Sequence, residues 1–153
     1  MKRHTLIGGA ALACLVLATS ACGVAPRHLN SGKVLPTTLP FSEAVQVGRT
    51  LYLSGQIGNL PGSLKLPPGG IGPESKQVME NIKTTLEAHG HTMADVVKCT
   101  AMLADMSEWG AFNEVYKGYF AEGRYPARSA FGATALAFNA RIEVEWILSL
   151  IHI

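Results

Sequence analysis

A chain of 153 residues, 48% hydrophobic and only 16% charged, suits one domain that buries roughly two-thirds of the surface its unfolded form exposes. The positive mean hydropathy, +0.20, and the formal net charge, +2, both lean on the first 21 residues. Without Lys2 and Arg3, 11 basic residues face 11 acidic ones, and no later run of 18 uncharged apolar residues exists, which excludes a polytopic membrane protein and disfavours a nucleic-acid partner.

The chain opens on Met1-Lys2-Arg3-His4, followed by an uncharged apolar stretch over 6–17 and the small residues Thr19-Ser20-Ala21. That order predicts a secretory signal peptide over 1–21, too short in its apolar part to cross a bilayer core of about 30 Å. Thr19-Ser20-Ala21-Cys22 resembles a bacterial lipobox, with Thr19 where leucine is usual. The expectation is a periplasmic protein anchored by lipid on Cys22, its one contact with a membrane. Ordinary cleavage after Ala21, leaving a free thiol, is the alternative. Gly23 follows the cysteine, and in the lipoprotein pattern that does not favour retention at the inner membrane. Cys14 leaves with the signal, so Cys99 stands alone and no internal disulfide is expected. Cys99 lies in an apolar run and reads as a small buried hydrophobe.

Residues 22–40 hold Pro26, Pro36, Pro40 and Asn30-Ser31-Gly32 without a sustained period, which predicts a flexible tether. The folded domain is then 41–153. Two short alternating runs, 44–47 and 50–54, flank Gly48-Arg49 and predict a hairpin, the second strand continuing with a glycine bend through 55–58. A Pro- and Gly-rich loop over 59–72 leads to Pro73 in the first turn of a helix. Val78, Ile82 and Leu86 carry that helix to a stop at Gly90. A largely buried strand is expected over 96–103. A second helix is expected over about 107–122, capped by Asp105 or Ser107, with Trp109, Phe112, Val115, Tyr116 and Tyr119 on its apolar face. Strands over 128–135 and 141–151 complete an α+β domain with two helices on one face of a mixed sheet. The other face is left for a partner subunit.

Common signatures of chemistry are missing. Gly69-Gly70-Ile71-Gly72 precedes a helix but lacks a following Gly-Lys-Ser/Thr, so a loop is the simpler reading than a phosphate cradle. His89 and His91 flank Gly90 past a helix end, where capping explains them better than a metal, and no third ligand stands at a sensible spacing. Two features remain. Arg141-Ile142-Glu143-Val144-Glu145-Trp146 places Arg141, Glu143 and Glu145 on one strand face. They suit either a solvated face with cross-strand ion pairs or a working carboxylate. Tyr125-Pro126-Ala127-Arg128-Ser129 opens a strand with one arginine among small residues. Its fork suits either a ligand carboxylate or an ion pair within the sheet.

With these residues in view, the chain resembles the reactive-intermediate deaminase family (RidA, YjgF/L-PSP), from about residue 39 to 151. The likeness is carried by Leu53-Ser54-Gly55-Gln56-Ile57, Asn81-Ile82 within 78–90, Val96-Val97-Lys98-Cys99-Thr100 and Phe112-Asn113-Glu114-Val115-Tyr116 with Tyr119-Phe120. Tyr125-Pro126-Ala127-Arg128-Ser129 and Ile142-Glu143-Val144-Glu145 complete it. The resemblance implies a chorismate-mutase-like α+β fold, a homotrimer with sites in the clefts between subunits, and no metal or organic cofactor. It implies hydrolysis of 2-imino or enamino acids to 2-oxo acids and ammonia, with Arg128 clamping the substrate carboxylate and Glu143 positioning the attacking water. Ser54 and Asn113 would line the same cleft. Two substrate-facing positions depart from the family's usual residues: Phe41 replaces a tyrosine, and Ala130 replaces a cysteine. Glu145 would pair structurally or tune Glu143. A non-catalytic trimer binding a small carboxylate through Arg128 is the alternative function. Ribonuclease activity, sometimes attached to the family, is disfavoured by the balanced charge and the lack of a basic aromatic stripe.

Overall fold

A hairpin opens the domain as the alternation predicts: β2 (Ala44–Val47) and β3 (Thr50–Ile57) pair antiparallel around Gly48-Arg49. Gly48 takes a φ of 57° in that two-residue turn, a conformation glycine adopts without a side-chain penalty. The structure is a computed structural model describing residues 24–150. The expected signal peptide and Cys22 lie outside the described residues.

The remaining elements are β1 (Arg27–Leu29), α1 (Ile71–Ala88), β4 (Val96–Leu103), α2 (Trp109–Tyr116), β5 (Ala127–Gly132) and β6 (Ile142–Ser149). They form a mixed six-stranded sheet in the order β1-β2-β3-β6-β4-β5, parallel only between β4 and β5. The expected α+β architecture is the one observed. Period-two alternation in β6 buries Ile142, Val144, Trp146 and Leu148, while α1 contributes Val78, Met79, Ile82 and Leu86 and α2 contributes Phe112 and Tyr116 to the same cluster. Cys99 belongs to this core, and burial pushes its thiol up to about 12, which leaves it inert as a nucleophile. Among the described residues no helix is long and apolar enough to cross a membrane.

Two expectations need correction. Residues 24–40 are not a free tether: β1 adds to β2, and Val34 is fully buried. The cause is a polar clasp rather than an apolar period. The buried Glu43 carboxylate accepts from the Ser31 backbone N–H (2.7 Å), the Ser31 hydroxyl (3.0 Å), the Thr85 hydroxyl (3.0 Å) and His89 Nε2 (3.2 Å). The Glu43 N–H in turn donates to Asn30 Oδ1 at 2.9 Å. Burial pushes the Glu43 carboxyl up, but these donors together outweigh it and hold the group below the ordinary carboxylate value. His89 is thus both the C-cap of α1 and one of these donors, tying the N-terminal segment to the helix.

The second correction concerns α2, which ends at Tyr116 and passes into a single 3-10 turn over Lys117–Tyr119. Phe120 is already extended, with its ring stacked at 5.9 Å on Trp146. The expected helix would carry Phe120 away from that core contact. At the other end, Asp105 caps a separate 3-10 turn, Met106–Glu108, by accepting from the Ser107 N–H at 2.8 Å, and α2 itself starts at Trp109 without a side-chain cap.

Candidate active site

The side chains expected to act together occupy opposite faces of one sheet. The alternation that sends Ile142 and Val144 into the core sends Glu143 to the face without helices, where it pairs across from Ile57 on β3 and Met102 on β4. A β-bulge between Leu53 and Gln56 lies beside it: β3 advances three residues while β6 advances two. The extra residue lets Leu53 and Gln56 both face the core and turns Ser54 and Gly55 toward the open side. Gly55 matters at close quarters, because a Cβ there would collide with Glu143 Oε1. The carboxylate therefore lies directly over a bare backbone position.

This half of the site is a cleft of about 440 Å³. Phe41, Ser54, Gly55 and Glu143 line it beside Leu39, Ile57 and Phe138. Ser54 is held by its hydroxyl donating to the Ser42 carbonyl at 2.7 Å. The floor of the cleft is fixed by Asn81 on α1, whose amide donates to the Ile57 and Asn59 carbonyls at 3.1 and 2.7 Å. Glu143 receives no side-chain hydrogen bond among the described residues. Burial first, and the neighbouring Glu145 charge second, raise its carboxyl above the ordinary value. A carboxyl raised in this way, in an open cleft, suits a general base.

Phe138 belongs to this rim for a reason its neighbours do not share. Phe138 and Asn139 have φ of 57° and 58°, and the Ala140 N–H donates to the Ala137 carbonyl at 3.0 Å. This is the geometry of a type I′ turn, which favours Asn or Gly at both central positions. A phenylalanine there costs about 1–2 kcal/mol of backbone strain, yet its ring is 56% exposed.

Arg128 sits on the other face. β5 pairs with β4 so that Arg128 lies opposite Cys99 and Ala130 opposite Ala101, both core-facing positions. The guanidinium leaves the sheet under α2, where Nη2 donates to Asn113 Oδ1 at 2.6 Å. Its carbon stands 4.5 Å from the Tyr116 ring centroid, 5.6 Å from Phe112 and 5.9 Å from Trp109. Nη1 is buried and has no hydrogen-bond partner. An aromatic cage thus holds a charged fork whose Nη1 nitrogen is unpaired, beside the surface depressions lined by Asn113 and Tyr125 and by Met106, Trp109 and Ala130.

The predicted site residues therefore divide. Phe41, Ser54 and Glu143 share one cleft; Asn113, Arg128 and Ala130 share the other surface. Arg141 joins neither, since Nη1 pairs with Glu108 at 2.7 Å. Glu145 forms no ion pair among the described residues. Sequence reasoning missed Gly55 as the seat of the carboxylate and Phe138 altogether. Strand alternation exposes neither, and Phe-Asn is not a recognisable turn pair.

Comparison with known proteins agrees with the motifs. The profile described as endoribonuclease L-PSP matches residues 32–149. A mouse protein named 2-iminobutanoate/2-iminopropanoate deaminase is 46% identical over 121 residues, covering 75% of this chain and 89% of its own. Its rat counterpart, of the same name, is 48% identical over 121 residues, covering 79% and 88%. The crystal structure of RidA from the Antarctic bacterium Psychrobacter sp. PAMC 21119 superposes with a TM-score of 0.74 at 37% identity, covering 80% of this chain and 98% of that one. By profile, sequence and fold alike, this chain belongs to the RidA (YjgF/L-PSP) family.

Proposed function

We propose that this protein hydrolyses 2-imino acids, and the enamines that tautomerise to them, to 2-oxo acids and ammonia in a cleft completed by two subunits. The relatives named 2-iminobutanoate/2-iminopropanoate deaminase supply the reaction class. The observation that carries the site is the division of Arg128 and Glu143 between two faces of one sheet. No small imino acid bound to a single chain can meet both through the sheet. In a closed ring, the open face of one subunit would meet the Arg128 edge of the next. That open face carries Tyr52 and Phe131, 47% and 49% exposed, on strands whose opposite side is core. Exposed apolar surface of this kind favours an interface between copies. The assembly is a homotrimer in this proposal, three such clefts closing the ring.

Arg128 of the partner subunit binds the substrate carboxylate from the surface depressions that it lines and orients the C=N carbon. Glu143 takes a proton from water as the oxygen bonds to that carbon and the C=N electron pair moves onto nitrogen. Its carboxyl then returns the proton to the amine of the carbinolamine. The C–N bond breaks as an oxygen lone pair forms the carbonyl, the hydroxyl proton passes back through Glu143, and ammonium departs. A protonated imine is already electrophilic, so orientation and one base suffice. A protein that only binds carboxylates would use Arg128 but has no need of a raised carboxylate over Gly55.

The test generates 2-iminopropanoate and 2-iminobutanoate with an amino-acid oxidase and traps unreacted imine with semicarbazide. Wild type should deplete the trapped imine, and Arg128→Ala should not. Equal rates would refute the proposal and leave carboxylate binding as the function.

For location we infer export and lipid anchoring from the basic leader, its apolar run and Cys22. Cys22→Ser should leave the domain folded and move it from the membrane fraction to the soluble one. Unchanged fractionation would contradict lipidation.

A further inference from the structure

Resting on the deaminase reading, we propose that the Glu143 cleft selects imino acids with bulky apolar side chains, branched aliphatic or aromatic, and that Phe138 is the residue that sets this preference. Three observations combine.

The first is the wall chemistry. Around Glu143 the cleft presents Leu39, Phe41, Ile57, Leu64 and Phe138, and Phe41, Leu64 and Phe138 are exposed side chains awaiting cover. With the substrate carboxylate held by Arg128 of the partner subunit and its reacting carbon beside Glu143, the side chain has this apolar rim to occupy. A methyl group leaves most of that surface wet in a cleft of about 440 Å³. Each further methylene that reaches the walls improves binding several-fold.

The second is charge. Among the described residues lining the cleft, Glu143 is the one ionisable group. Asn59 is spent, its side-chain amide nitrogen donating to the Ser63 carbonyl at 3.0 Å while its side-chain oxygen lies 3.5 Å from the Asn81 amide nitrogen that donates to it. An acidic side chain would meet the Glu143 carboxylate while the one cation at the site, Arg128 of the partner subunit, is taken by the substrate's own carboxylate, so the cleft rejects it as well as favouring an apolar one.

The third is the backbone at Phe138. An aromatic residue with φ of 57° occupies a turn position suited to Asn or Gly, and its ring is spent on the cleft rather than on the core. Strain without a packing return in the core points to a role at the site.

The experiment uses the mature chain as wild type, Phe138→Asn and Phe138→Ala. Turnover of 2-iminopropanoate, 2-imino-4-methylpentanoate and iminosuccinate is measured by the semicarbazide assay. Binding of the corresponding stable 2-oxo acids is measured by calorimetry. For wild type, kcat/KM should favour the branched imine over 2-iminopropanoate by about 10- to 100-fold, with iminosuccinate poorest. Phe138→Asn should cut that ratio about fivefold or more while raising Tm by a few degrees, because asparagine accepts the left-handed conformation. Phe138→Ala should cut the ratio without the gain in Tm.

Turnover of all three imines at similar rates would overturn the inference and leave the deaminase reading intact. An unchanged ratio in Phe138→Asn would overturn it too. Absence of turnover with oxo acids still bound in the predicted order would sink the deaminase reading and support the apolar subsite. Absence of that order in binding as well would sink both.

Discussion

The two faces of the sheet hold their charged groups in opposite ways. On the helix side, the Arg128 guanidinium is clasped by three aromatic rings and Asn113. On the open side, Glu143 lies over Gly55 with no hydrogen-bonding donor among the described residues and a raised carboxyl. In the proposed reaction the first group positions the substrate and the second takes and returns a proton. The difference teaches that two groups on strands separated by one neighbour face away from each other through the sheet, which is why the proposed reaction takes its missing face from a second copy.

Removing either group should have the largest effect. Arg128→Ala and Glu143→Gln should each lower kcat/KM for 2-iminobutanoate by about 10³-fold. The two should differ in stability. Glu143→Gln should raise the urea midpoint at neutral pH, since a carboxyl whose pKa is raised on folding disfavours the folded state once it ionises. Arg128→Ala should lower it, because the aromatic cage loses its occupant. The same sign of stability change in both variants would erase the contrast.

Gly55→Ala comes next. The new Cβ displaces the end of a flexible side chain rather than backbone, so the fold should survive while the carboxylate shifts. A displacement of about 1 Å is expected to lower kcat by about 10²-fold, with the circular dichroism spectrum unchanged. Wild-type kcat in this variant would show that the seat of Glu143 does not matter.

The smallest effect concerns pH. Glu143 must be ionised to accept a proton, so activity should fall as pH drops through its raised pKa. Glu145→Gln removes the second cause of that elevation and leaves burial, the first. The acid limb of the kcat/KM profile should therefore move to lower pH by less than about one unit. A limb that stays fixed or moves up would show that Glu145 does not act on Glu143.

Much of this was legible in the sequence, and the failures have particular causes. The alternation in 142–148 correctly separates Glu143 from Trp146, and the turn Gly48-Arg49 correctly marks the hairpin. Alternation within one strand, however, says nothing of register between strands. Only the pairing of Arg128 with Cys99 shows that the arginine faces the core side. The segment before Phe41 looked free because its attachment is a set of hydrogen bonds to Glu43 and one buried valine, neither of which leaves a period. α2 ends early because Phe120 gains a place against Trp146 that helical continuation would deny it, a tertiary preference invisible to helical spacing.

The central claim, a site shared between subunits, is tested most directly by mixing inactive variants. Arg128→Ala and Glu143→Gln chains, each inactive alone, are unfolded together in equal amounts, refolded and assayed for imine hydrolysis. A site that takes Glu143 from one subunit and Arg128 from the next should return about a quarter of wild-type activity, because random assembly rejoins the intact halves at that frequency. Activity no higher than that of the separately refolded variants would contradict the account.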